Sequence, residues 1–152
     1  LMNALIQIHK LADMPSKSNY LIERPRITAE NSVNNEVNNK IFIIENDEAM
    51  TLLLYTILDL QGYDVTVINN YEKIPECTPA LIILDAGSID TLKGIETCRQ
   101  IRKNPNFDKT KVILTSVYHD KEMVLNAGAD LYIPKPYEIS NLIKWIEKLL
   151  NT

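Results

Sequence analysis

Four residues in this chain stand where side chains can do chemistry. Asp85 closes the apolar run Ala80-Leu-Ile-Ile-Leu84, Thr115 closes Lys111-Val-Ile-Leu114, and Lys135 follows Leu131-Tyr-Ile-Pro134. Glu45 opens an acidic cluster, Glu45-Asn46-Asp47-Glu48, after a fourth run, Lys40-Ile-Phe-Ile-Ile44. A short apolar run of this kind reads as a strand buried on both faces, and each would deliver a polar side chain at its end. In an open parallel sheet, ligands gather outside the carboxyl ends of the strands, so these side chains should converge on one site. Asn46 is the discordant member, an amide where a second carboxylate would be useful.

The elements that must position these residues alternate from Lys40 onward. Residues 40–45 read as a strand, and Met50, Leu53, Leu54, Ile57, Leu58 and Leu60 trace a helix that stops at Gly62, a residue suited to a left-handed cap. A second strand covers 64–68. The stretch from Asn69 to Pro79 holds two prolines and few apolar residues, leaving room for a helical turn or two. A third strand at 80–85 leads to a helix over 92–103 marked by Ile95, Cys98 and Ile101 and closed by Asn104-Pro105. Then come a strand at 111–115, a short helix at 120–126 ending at Gly128, a strand at 131–134, and a helix at 138–150 carrying Ile139, Leu142, Ile143, Ile146 and Leu150. Apolar strands joined by helices, with right-handed crossovers, predict a three-layer α/β/α sandwich around a five-stranded parallel sheet.

Residues 1–39 differ in character and are expected to form an N-terminal extension to a domain spanning 40–152. Leu1, Leu5, Ile8 and Ala12 suggest one short amphipathic helix, and Asn31-Ser-Val-Asn-Asn-Glu-Val-Asn-Asn39 reads as a polar linker. Leu1 is not an initiator methionine, so either an added residue precedes Met2 or the chain is cut from something longer.

Composition narrows the function classes. The 152 residues are 45% hydrophobic, enough for a proper core, and the formal net charge is -4. Four basic and four acidic residues lie in 1–39, so the acidic excess falls downstream, which argues against a nucleic-acid surface. Two cysteines, Cys77 and Cys98, are too few for a disulfide framework, and a reducing cytoplasm is the expected setting. No run approaches the ~20 apolar residues of a membrane span, and the first residues do not read as a charged region followed by an apolar run and a cleavage site. His9 and His119 have no ligand-like spacing.

In this order of elements, residues 40–150 resemble the receiver domain of two-component response regulators, the CheY-like relatives of the flavodoxin-like fold. The matching pieces are Glu45-Asn46, Leu84-Asp85, Leu114-Thr115-Ser116 and Ala127-Gly-Ala-Asp-Leu-Tyr-Ile-Pro-Lys-Pro136, each after or across its own strand. The resemblance implies a phosphoacceptor at Asp85, taking its phosphoryl group from a histidine kinase or phosphotransfer protein. It assigns Mg²⁺ to Asp85, Asn46, the backbone carbonyl of Gly87 and, through water, Glu45. It gives Lys135 a phosphate oxygen and Thr115 a hydroxyl donated to the new phosphate. Tyr132 would swing inward in response, changing an output face on which Trp145 is expected to be partly exposed. Each residue also has a plainer role open to it: a cap for Asp85, a solvated loop for Lys135, a local hydroxyl bond for Thr115, core-edge packing for Tyr132 and Trp145.

The chain departs from the family pattern in four places, one of them the stunted helix between the second and third strands. Asn46 stands where the family has Asp, which should weaken Mg²⁺ binding. The loop after Asp85, Ala86-Gly-Ser-Ile-Asp-Thr-Leu-Lys-Gly94, lacks the usual Met-Pro and is one residue longer, and the helix after the fourth strand is short. Two functions follow: a phospho-accepting switch whose only catalysis is its own phosphorylation and dephosphorylation, or a pseudo-receiver that binds proteins independently of phosphorylation. A flavodoxin-like enzyme or nucleotide binder is disfavoured, because the first strand-to-helix turn has no glycine for close phosphate approach and crowds acid there. Output is expected through an unidentified downstream protein or a domain upstream of Leu1, and a homodimer could form through the fifth strand and last helix.

Overall fold

The computed structural model describes residues 38–69, 74–75, 77–87, 93–117 and 120–151. The expected N-terminal helix and nearly all of the linker, most of the turn-or-two helix after Asn69, residues 88–92 of the loop after Asp85, and His9 and His119 lie outside them.

Five strands, β1 (Lys40–Ile44), β2 (Asp64–Val67), β3 (Leu81–Asp85), β4 (Lys111–Ser116) and β5 (Leu131–Pro134), form one parallel sheet in the order β2-β1-β3-β4-β5. Among the described residues the helices are α1 (Glu48–Leu60), α2 (Lys93–Lys103), α3 (Lys121–Asn126) and α4 (Ile139–Leu150), with a 3-10 turn at Pro105–Phe107. Every boundary falls within about two residues of its sequence expectation, as helix and strand ends commonly do.

The strand period of two sorts the core. Phe42, Ile44, Ile82, Leu84, Val112 and Leu114 face one side and pack with Ile95, Cys98 and Ile101 of α2 and Val124 of α3. Ile41, Ile43, Leu81, Ile83, Ile113 and Ile133 face the other and pack with Leu54 and Leu58 of α1 and Leu142 and Ile146 of α4. Each fully buried Leu or Ile stabilises the fold by about 1.5–3 kcal/mol, so the central strands, apolar on both faces, carry much of the stability. β2 is half-buried throughout because it is an edge strand.

Local chemistry sets the helix ends. The Asp47 carboxylate accepts from the Met50 amide at 2.8 Å and caps α1, while Glu48 favours the positive end of the helix dipole. At the other end the Tyr63 amide reaches back to the Leu58 carbonyl across Gly62, whose φ of 89° an L side chain rarely adopts. Asp120 caps α3 in the same way through Met123. At the end of the sheet opposite the expected site, Arg102 of α2 donates to the carbonyls of Gly128 and Thr110 at 2.6 and 2.8 Å and to Asp130 at 2.6 Å. Asp130 in turn accepts from the Val112 amide, so one arginine ties α2 to the turn before β5 and to β4.

Candidate functional site

Sheet register brings the site together. Glu45, Asp85, Thr115 and Lys135 continue the alternate positions Ile41-Ile43, Leu81-Ile83, Ile113 and Leu131-Ile133, so all four lie on the side of the sheet that faces α1 and α4. Asp85 pairs with Thr115, and Thr115 with Ile133. Glu45 follows Ile44, which pairs with Leu84, and therefore lies level with Asp85. Lys135 lies two residues past Ile133, and its backbone amide donates to the Ser116 carbonyl at 2.7 Å.

The Lys135 ammonium sits between two carboxylates, 2.9 Å from Glu45 Oε2 and 3.2 Å from Asp85 Oδ1. Glu45 Oε1 accepts from the backbone amides of Asn46 and Asp47 at 3.0 and 3.1 Å. Asp85 Oδ1 also accepts from the Gly87 amide at 3.2 Å, leaving Oδ2 as the oxygen outside those two bonds. Glu45, Asp85 and Thr115 are all buried, whereas Asn46 is exposed. Asp47, next to Asn46, is committed to the α1 cap.

Burial and pairing act in opposite directions on the two partners. Burial pushes the Glu45 carboxyl above its ordinary 4.5, against the lowering effects of the Lys135 bond and the Asp47 amide, with the Asp85 charge adding to the rise. For Lys135 burial alone would lower the pKa, but the Glu45 hydrogen bond and the charges of Asp85 and Glu45 outweigh it and hold the ammonium above its ordinary range. The lysine is therefore firmly protonated, and the burial of Glu45 makes its charge depend on that lysine.

A close approach supports the acceptor from behind. A Cβ placed on Gly94, at the start of α2, would lie 2.2 Å from Ala86 Cα and 2.6 Å from the Asp85 carbonyl oxygen. The Ala86 amide meanwhile donates to the Thr115 carbonyl at 2.8 Å. The chain after Asp85 is thus held between β4 and the first turn of α2.

The donors that the resemblance assigns to a divalent ion are all oxygens: the Asp85 carboxylate, the Gly87 carbonyl, the Asn46 amide and Glu45. That set suits a hard ion such as Mg²⁺ in kind. It is poor in charge, because Asn46 contributes none and Lys135 already neutralises part of the other two. Among the described residues no group of three His, Cys, Asp or Glu could hold a metal by itself.

Tyr132 is half-buried on the α2-facing side of β5, and burial raises its phenol pKa. Trp145 is 41% exposed on α4, with the Lys148 ammonium 5.1 Å from its ring centroid. Sequence reasoning missed Gly94 and also Tyr137, two residues after Lys135, whose hydroxyl is buried without a hydrogen-bond partner among the described residues. A glycine nine residues after Asp85 and a tyrosine just past a strand end were the available signals, but only the packing gives them meaning.

A five-stranded parallel sheet of this order, with a glutamate, a central aspartate, a hydroxyl and a lysine at neighbouring strand ends, defines the receiver class of signalling domains. The family model for the response regulator receiver domain matches residues 41–147, and the chain belongs to that family. It is 33% identical over 118 residues to the phosphate regulon transcriptional regulatory protein PhoB of Rhizobium meliloti, covering 73% of this chain and 52% of that one. It is 34% identical over 115 residues to the transcriptional regulatory protein CpxR homolog of Haemophilus influenzae, covering 73% and 50%. The chain thus spans about half the length of the curated relatives it matches. Among solved structures, a CheY-like receiver domain protein from Methanospirillum hungatei superposes with a TM-score of 0.63 at 26% identity, over 74% of this chain and 94% of that one. The signal receiver domain of a histidine kinase from Syntrophus aciditrophicus gives 0.63 at 27%, over 74% and 90%. Among the described residues no helix is long and apolar enough to cross a membrane.

Proposed function

We propose that this receiver domain accepts a phosphoryl group on Asp85 from a phosphohistidine of a histidine kinase or phosphotransfer protein, and that the modification changes a protein-binding face. The observation that carries this reading is the hold on Asp85: Lys135 and the Gly87 amide both engage Oδ1, which leaves Oδ2 to act as nucleophile. Oδ2 bonds to phosphorus as the phosphorus–nitrogen bond to the donor imidazole breaks, and the electron pair leaves with the imidazole. Such transfers need positioning and neutralised charge more than covalent help from the protein. Lys135 supplies a cation to a phosphoryl oxygen, and Thr115, paired with Asp85 in the sheet, donates its hydroxyl to another. Asp85, the Asn46 amide, the Gly87 carbonyl and, through water, Glu45 would hold Mg²⁺, which when bound offsets the repulsion between the two anions. Movement of Tyr132 toward Thr115 would carry the change to the face that includes Trp145. Catalysis by this chain is limited to its own phosphorylation and dephosphorylation.

A second reading has its own support. With Asn46 neutral and Lys135 bound to Glu45, the same fold would serve as a pseudo-receiver whose protein contacts do not depend on phosphate. Incubation with acetyl phosphate over a Mg²⁺ titration, read by intact mass, separates the two. The phospho-acceptor reading predicts a phosphoryl adduct on the wild type at high Mg²⁺, with Asn46→Asp reaching the same labelling at roughly tenfold less Mg²⁺, as one added anionic ligand warrants. A wild type that gains no adduct while Asn46→Asp does would establish the pseudo-receiver.

A further inference from the structure

Lys135 bonds to both carboxylates of the site at once, 2.9 Å from Glu45 Oε2 and 3.2 Å from Asp85 Oδ1. A carboxylate oxygen has two lone pairs, so its partners can be accounted for one by one. Glu45 Oε1 already serves the amides of Asn46 and Asp47, which leaves Oε2 for a metal-bound water, and the lysine is on it. Asp85 Oδ1 serves the Gly87 amide and Lys135. With Oδ2 acting as nucleophile, Oδ1 is the oxygen left for a metal, and both of its lone pairs are in use.

Of the groups on these oxygens, only the lysine can leave without unmaking the backbone. The three amides belong to the turns that follow β1 and β3, whereas the ammonium ends a long side chain that is 19% exposed. It also carries a charge of the same sign as a metal ion, and salt screens such repulsion little in a partly buried site. Asn46 makes the arrangement particular to this chain. A carboxylate there would give a metal a third anionic ligand; the amide leaves Glu45 and Asp85 as the two assigned to it, both bonded to one lysine.

We propose that Lys135 latches the metal position: in the unmodified site its ammonium holds the Glu45 and Asp85 oxygens that a divalent cation needs, and it yields them when it turns to the phosphoryl group on Asp85. The proposal deepens the phospho-acceptor reading and rests on it. Metal and phosphoryl group then bind cooperatively, since each favours the form in which the lysine has left the carboxylates. Weak Mg²⁺ binding by the unmodified protein would have two sources, the missing charge at Asn46 and the lysine itself.

A double-mutant cycle on metal binding by the unphosphorylated full chain tests the latch, with Mn²⁺ as the probe and the electron paramagnetic resonance of the free ion as the readout. Lys135→Met should bind Mn²⁺ about tenfold more tightly than wild type, the scale of one hydrogen bond to a charged group. In a Glu45→Gln background the same change should gain clearly less, because the oxygen that the lysine guards has lost its charge. Equal gains in both backgrounds would mean that the lysine acts only as a distant charge and would overturn the proposal. So would Lys135→Met that binds no more tightly than wild type, including the case in which neither binds. If a variant fails to fold, the wild type decides through a brief pulse of acetic anhydride mapped by mass spectrometry. Saturating Mn²⁺ should raise acetylation of Lys135 relative to the exposed Lys103 at the far end of α2, and an unchanged ratio overturns the proposal. Neither measurement uses phosphate, so a failure of Asp85 as acceptor would appear in acetyl phosphate labelling and leave these outcomes as they are.

Discussion

Lys135 bonds two carboxylates from different strands, and the stability it contributes has a defined pH window. Its folded pKa is held above the unfolded value of about 10.4, so the contribution is complete below that value and is lost as pH rises through the folded one. Urea midpoints of wild type and Lys135→Met should therefore differ by a constant amount between about pH 8 and 10 and converge above about pH 10.4. A gap that widens there would contradict the pairing. Glu45 follows the same sign for a different reason. Burial raises its carboxyl, so its contribution is fullest below the ordinary 4.5 and declines as pH rises through the folded value. The residue types at the site were legible in the sequence because each closes an apolar run. The Lys135–Glu45 bond was not, since it joins residues 90 apart and depends on how far the lysine reaches back over the sheet.

At the scale of elements, the start of α2 fixes the chain after Asp85. Gly94 admits the helix against Ala86 with no room for a methyl group, so Gly94→Ala must push α2 away from the end of β3 or twist the acceptor. Overpacking of this kind costs about 1–3 kcal/mol. Urea unfolding should show that loss, and acetyl phosphate labelling of the folded variant should slow; unchanged stability and labelling would mean that the helix start relaxes freely. The helices themselves could be read from their apolar spacing, and the C-terminal ends of α1 and α3 from Gly62 and Gly128, whereas the caps Asp47 and Asp120 emerged only from the structure. Gly94 escaped notice because a sequence does not show which backbone a helix will rest upon. The Arg102–Asp130 tie escaped for a similar reason: both residues look like ordinary surface charges until α2 and the turn before β5 are placed side by side.

For the molecule as a whole, the sheet does two jobs with one periodicity. Alternate residues of β1, β3, β4 and β5 fill the α1- and α4-facing core, and the next residue in each series passes out of the core into the site. Fold and site were therefore legible together, since the same runs that predict buried strands predict what stands at their ends. Asn46 keeps the function from following automatically, because it alters the charge of the site without altering the fold. The most direct test is to treat wild-type protein with acetyl phosphate and Mg²⁺, reduce it with borohydride, and map the peptides by mass spectrometry. Reduction converts an aspartyl phosphate to homoserine and leaves a free carboxylate untouched. The account predicts homoserine at position 85 and at no other aspartate; an unmodified Asp85, or a reduced residue elsewhere, would contradict it.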